Sequence, residues 1–260
     1  MSLRVEKLNF SYGKRQILHD VSFDIQSGHL TCLLGPNGVG KSTLFKSILK
    51  ILTTYTGKIY LDGKETRSLT MREMAKLVAY IPQSNAPTFN YSVFDMVLMG
   101  TTSQLTVLGT PGKLQKELAE EMLNRLGIYH LRDSGFSRIS GGERQLTLIA
   151  RALVQQAKVL IMDEPTANLD YGNQIRVLEQ VRKLSEEGFT IIQSTHQPDQ
   201  AFLFADEVLA LKNGRVQAFG KPKEVITSEF VNELYGVTVE VHSIYEDAMR
   251  VCVPVLALRK

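Results

Sequence analysis

"HLTCLLGPNGVGKSTLFKSILKIL", residues 29–52, decides the fold of this chain. Leu30 to Leu34 is an apolar run, with Thr31 as its one hydroxyl, ending in glycine, as in a short strand buried on both faces. Past the glycine loop, Leu44, Phe45, Ile48, Leu49 and Leu52 recur at helical spacing as one apolar stripe. A strand, a loop reading G-x-x-x-x-G-K-[ST] and a helix, in that order, make a cradle for phosphate. Gly38 and Gly40 let the backbone curl so that N–H groups converge on phosphate oxygens at the positive end of the helix. Lys41 adds a charge for the β- and γ-phosphates, Ser42 a hydroxyl for Mg²⁺ and Thr43 a phosphate contact. Asn37 belongs to the same cradle.

Outward from this unit, strands alternate with helices. "LRVEKLNFSY", "ILHDVSFDI" and "GKIYLDG" read as strands, the last with an Asp62-Gly63 turn, and "LVAYIPQ" as another. From about residue 87 the chain turns helical, with Leu114, Leu118, Met122 and Leu126 at steps of four. "AKVLIMDEP" and "FTIIQSTH" are buried strands around the helix "NQIRVLEQVRKLSEEG", and "EVLALKNGRVQAFG" is a hairpin about Asn213-Gly214. The tail after Gly236 reads as short strands. The fold class is α/β, a parallel sheet with a helical insertion at about 87–152.

A phosphate loop needs an acid at a neighbouring strand end to hold Mg²⁺. Asp163 supplies it after four apolar residues, and Glu164 follows directly. A second carboxylate there can orient or deprotonate a water attacking the γ-phosphate, which points to hydrolysis. No acceptor pocket for a kinase is visible.

The bulk numbers exclude other classes. The chain has 260 residues, 43% hydrophobic and 22% charged, which fits a globular protein with a sizeable core. A formal charge of +3 with scattered basic residues gives no ground for a nucleic-acid partner. Cys32 and Cys252 lie in apolar stretches and read as small buried hydrophobes, in keeping with a reducing cytoplasm. The N-terminus lacks the apolar core of a secretory signal, and no window approaches the roughly 18–20 apolar residues of a spanning helix. Work at a membrane would go through a partner.

"RISGGERQLTLIARAL", residues 138–153, is a second glycine-led helix start, and a domain with one phosphate cradle does not need another. Together, "GPNGVGKST", "ISGGERQ", "VLIMDE", "NLD" and "STH" resemble, in order and approximate spacing, the ATP-binding subunits of ABC transporters. The likeness runs from Tyr12 to about residue 220. It implies a P-loop NTPase (RecA-like) core, with an N-terminal antiparallel β subdomain, over residues 1–86 and 153–235. It also implies an inserted α-helical subdomain over 87–152 and a C-terminal tail over 236–260.

In that family Ser140, Gly141 and Gly142 face the γ-phosphate of ATP held by a second copy. The plainer alternative is Ser140 as a helix cap, which alone would need neither glycine. By the same resemblance Tyr12 stacks on adenine, with a simple strand aromatic as the alternative. Gln83 reaches Mg²⁺ and the attacking water, Asp170 crosses the dimer interface, and His196 contacts the γ-phosphate. Histidines 19, 29, 130 and 242 lack such a context and read as structural. Ile139 stands where leucine is usual, a swap that keeps volume. With Glu164, Ser140 and His196 all present, the implied assembly is a homodimer with two competent ATP sites.

The resemblance further implies integral membrane permease subunits as partners, a substrate-binding protein acting indirectly, and a peripheral place at the cytoplasmic face of the membrane. In "NAPTFNYSVFDMVLMG", residues 85–100, Ser92 can cap a helix presenting Val93, Met96, Val97 and Gly100. That face either receives a permease helix or packs the helical subdomain. "YSVFDMVLMG" and "THQPDQ" look most like the subfamily importing iron-siderophore, haem, cobalamin or molybdate. An exporter with separately encoded spans, or a non-transport ABC ATPase, stays open at this level, and no residue here reads out the cargo.

Overall fold

The computed structural model describes residues 1–83, 90–106, 109–246 and 249–255. Alternating apolar residues turn the N-terminus into an antiparallel pair, β1 (Leu3–Tyr12) and β2 (Arg15–Ile25), with Leu3, Val5 and Leu8 buried. Next come β3 (Leu30–Leu34), buried at every position, and α1 (Lys41–Ile48). β4 (Thr56–Leu61) and β5 (Lys64–Glu65) complete a four-stranded sheet in the order β2-β1-β4-β5.

After α2 (Met71–Leu77), a strand β6 (Val78–Ile81) enters the main sheet. The insertion follows as α3 (Val93–Leu98), α4 (Lys113–Arg125) and α5 (Gly141–Leu153). The chain returns through β7 (Val159–Met162), α6 (Tyr171–Glu186), β8 (Thr190–Thr195) and α7 (Pro198–Phe204). The hairpin β9 (Glu207–Lys212) and β10 (Arg215–Gly220) precedes α8 (Pro222–Val225), α9 (Ser228–Tyr235) and a second hairpin, β11 (Val239–Ile244) with β12 (Met249–Pro254).

The main sheet runs β10-β9-β3-β8-β7-β6, parallel from β9 to β6, with β10 antiparallel at one edge. Its period of two divides the core. In β7, Val159 and Ile161 face the antiparallel layer and α1, whereas Leu160 and Met162 face the inserted helices. In β3, Leu33 faces the antiparallel layer, and Cys32 and Leu34 face α7 and α9. The insertion therefore shares one continuous core with the sheet.

The structure sharpens two sequence expectations. The segment is helical as expected and Met122 and Leu126 are buried, but Leu114 is 76% exposed, and α4 buries Ala119 and Leu123 as well. A step of four overshoots the helical repeat by about 40° each time, so a run of such steps leaves the buried face. The face of α3 is likewise internal. Val93, Met96 and Val97 are buried, and a Cβ on Gly100 would lie 2.0 Å from the Arg151 carbonyl oxygen. Val93, Met96 and Val97 therefore pack the helical subdomain, one of the two readings left open, while Gly100 also borders a groove at the surface, and Ser92 caps α3 as expected. Residues 85–89 of that segment lie outside the described residues.

Both cysteines are free. Burial pushes each thiol up to about 12, with nearby Asp199 contributing at Cys252.

Candidate active site

The parallel strands put their C-terminal ends side by side, and ligands of open α/β sheets bind there. β3 ends in the glycine loop, β8 in His196, β7 in Asp163 and Glu164, and β6 is followed two residues later by Gln83. Register fixes this row: Leu34 pairs with Thr195, and Met162 with both Gln193 and Ile81. The result is a cleft of ≈ 530 Å³ whose walls include Asn37, Lys41, Ser42, Gln83, Asp163 and Glu164.

The loop curls where glycine allows it. Gly38 and Gly40 have φ of +78° and +114°, conformations that L side chains rarely adopt. Gly40 occupies the cap position of α1 and offers no side chain, so the free N–H groups of that helix start are not met by a capping oxygen. Thr43 borders the same cleft, as does Tyr12, which is 49% exposed and meets Phe10 edge-on at 4.8 Å.

Lys41 is 6% exposed, with Nζ donating to the Gly35 carbonyl at 2.7 Å and lying 3.7 Å from Glu164 Oε1. Burial pulls its pKa below the usual lysine value, against the opposing pull of Glu164 and Asp163. His196 Nδ1 stands 3.8 Å from the same Glu164 oxygen. His196, Gln83 and Glu164 also border an adjoining cavity of ≈ 210 Å³. Glu164 itself takes a left-handed backbone, φ +47°.

A residue without an assigned role in the sequence completes the pair of acids. Ser194 Oγ donates to Asp163 Oδ1 at 2.7 Å and accepts the Glu164 N–H at 2.8 Å, in full burial. On the other side, Tyr80 Oη approaches Asp163 Oδ2 at 3.5 Å, and burial, then Asp163, push its phenol up to about 12. The serine is visible in "STH", but its role depends on strand pairing that no local motif encodes.

Ser140, Gly141, Gly142 and Asp170 do not border this cleft. They form a second cluster, where α5 and α6 begin. Ser140 is exposed and caps α5 reciprocally: its Oγ accepts the Glu143 N–H at 3.3 Å, and Glu143 Oε2 accepts the Ser140 N–H at 2.8 Å. Both glycines have an internal reason as well. A Cβ on Gly141 would meet Leu169 Cδ2 at 2.9 Å, and one on Gly142 would meet Asn173 Oδ1 at 2.6 Å. Asp170, also exposed, caps α6 by accepting from the Asn173 backbone and side chain at 2.9 and 2.7 Å, which hold its carboxyl below the usual range.

Among the described residues, no helix is long and apolar enough to cross a membrane. The ABC transporter family pattern matches residues 18–167. An uncharacterized ABC transporter ATP-binding protein of Haemophilus influenzae is 39% identical, over 92% of this chain and 91% of its own. The ferric enterobactin transport ATP-binding protein FepC of Escherichia coli is 33% identical, over 90% and 87%. A chain from an inward-facing metal-chelate type ABC transporter superposes with a TM-score of 0.87 at 31% identity, covering 98% of this chain and 99% of that one. With these matches spanning both the strand-end cleft and the second glycine cluster, the chain belongs to the ABC transporter family, among its ATP-binding subunits.

Proposed function

We propose that this chain is the ATP-hydrolysing subunit of an importer for metal-chelate-type substrates, of the iron-siderophore, haem, cobalamin or molybdate kind. It works peripherally at the cytoplasmic face of a membrane, with separate permease subunits and with a substrate-binding protein that reaches it only through them. The supporting observation is the separation of two clusters. The strand-end row supplies one half of an ATP site, and the exposed Ser140 and Asp170 lie apart from it on two helix starts. Two copies set head to tail complete each other's clefts. The γ-phosphate then touches both chains and favours the closed pair.

Within each site the Tyr12 ring stacks on adenine, and Lys41 with Asn37, Gly38, Gly40 and Thr43 holds the phosphates. Glu164 orients the attacking water and accepts its proton as the γ-phosphoryl leaves ADP. His196 and Lys41, both near Glu164 Oε1, stabilise the charge that develops. Ser42, Asp163 and Gln83 bring a hydroxyl, a carboxylate and a carboxamide to one cleft, a hard-oxygen donor set that suits Mg²⁺. Bound there, Mg²⁺ would neutralise β- and γ-phosphate charge.

For the permease we propose a groove of ≈ 720 Å³ between α2 and the segment after α3. Ile51, Met71 and Met99 expose apolar surface along it. Arg151 borders it without an ion pair or hydrogen bond among the described residues, and burial pulls its pKa down. An apolar segment carrying a carboxylate complements such a surface.

The decisive experiment uses Glu164→Gln in two assays. The variant should bind ATP and pair with a second copy while its turnover falls by about 10²-fold or more. Rapid steady-state turnover removes the proposed role of Glu164. The tagged chain, extracted from its native membranes in mild detergent, should carry a polytopic permease with it. A soluble partner in its place removes the transport reading and leaves the ATPase.

A further inference from the structure

The switch histidine and the interface aspartate sit on different loops, after β8 and before α6, and a single buried carboxamide touches both. Gln200, on α7, is 6% exposed. Its Oε1 accepts from Thr195 Oγ1 at 3.0 Å, and Thr195 directly precedes His196. Thr166 Oγ1, in the loop leading to Asp170, lies 3.3 Å from both amide atoms. Nε2 donates to Gln197 Oε1 at 2.8 Å and reaches Gln174 Oε1 at 3.5 Å, while Gln174 Nε2 donates to the carbonyl of Leu169 at 2.9 Å. Leu169 precedes Asp170 as Thr195 precedes His196.

Apart from Gln197 on its own turn, the partners of this amide lie on, or bond to, the two loops that carry site residues. Thr166 and Thr195 are themselves 5% and 4% exposed, so water cannot readily replace the amide. We propose that Gln200 is a positioning residue that fixes the His196 turn to the Asp170 loop, so that the state of a chain's own ATP site reaches the site that its Asp170 completes in the partner copy. The inference rests on the two-copy reading above. Displacement of His196 by a γ-phosphate moves Thr195, Gln200 follows, and the 166–170 loop moves with it. No charge changes hands; the coupling is geometric.

The test is steady-state ATP hydrolysis by the purified full chain, wild type beside Gln200→Leu and Gln200→Glu, with nucleotide affinity measured separately. The glutamate variant keeps the acceptor that Thr195 uses. Wild type should show a Hill coefficient for ATP clearly above 1, with about 2 as the limit that two coupled sites allow. Gln200→Leu should bring it to about 1 and lower kcat at least about fivefold, with ATP affinity unchanged within about twofold. Gln200→Glu should recover most of the cooperativity. A merely structural residue would lower the folded fraction and leave the Hill coefficient alone. Cooperative hydrolysis by Gln200→Leu equal to wild type overturns the inference and leaves the two-copy reading standing. A non-cooperative wild type overturns the inference, and a wild type that stays monomeric with ATP overturns the two-copy reading with it. If Gln200→Leu does not fold, a Gln200→Glu chain with the cooperativity of wild type but no response to Asp170→Ala overturns it as well.

Discussion

Ser194 shows how much of the chemistry hangs on one hydroxyl. It is the donor to Asp163 Oδ1 and the acceptor for the N–H of Glu164, which takes a left-handed φ of +47°. Ser194→Ala leaves a buried N–H unpaired and a carboxylate oxygen without its donor. The cost should be about 1–3 kcal/mol of stability, read from denaturant midpoints, with a fall in turnover beyond what lost folded protein explains. Lys41, Ser42, Asp163 and Glu164 are legible in the sequence because their chemistry is carried by neighbours along the chain. Ser194 is not, since its role exists only once β7 and β8 pair with Met162 opposite Gln193. Gln200 is hidden for the same reason, with partners 34 and 26 residues away in Thr166 and Gln174.

The three helix starts that carry site residues behave differently as elements. α1 begins at a glycine with no side-chain cap, while α5 begins at Ser140 in a closed capping box and α6 at Asp170 with its own cap. A cap and a phosphate contact from one Ser140 hydroxyl can be separated by substitution. Ser140→Ala should lose about 1 kcal/mol and Ser140→Asp, a good cap, only a few tenths, as measured by thermal unfolding. ATP-driven pairing should fail in both, most completely in the aspartate, whose charge opposes the phosphate. Gly142→Ala should cost about 1–3 kcal/mol by driving a Cβ into Asn173, and Asn173→Ala should relieve most of that cost in the double variant. Periodicity gives the helices themselves but not which residues of a stripe are buried. Leu114 fits a step-of-four pattern and ends in solvent, because Ala119 and Leu123 meet the rest of the insertion.

At the scale of the molecule, the antiparallel layer, the parallel sheet and the inserted helices meet in cores that run across the sheet, leaving the groove beside α2 as an exposed apolar surface. Met71, 58% exposed at its rim, is the place to test it. Met71→Arg should leave the unfolding midpoint within about 1–2 °C of wild type, as a surface change does, and abolish co-purification with the permease. The sheet order has another consequence. β3, which leads into the phosphate loop, pairs among the described residues only with β8 and β9, and Cys32 finds Gln193 at a separation of 161 residues. A growing polypeptide leaving the ribosome thus carries the strand that leads into its nucleotide-binding loop without either sheet neighbour through most of its synthesis. Chains stalled before Lys212 has emerged should gain no protease protection from ATP, and those stalled well beyond it should gain it abruptly. Until then the cell holds a nascent glycine loop on a strand whose two edges are open, a window in which a chaperone has access before nucleotide does.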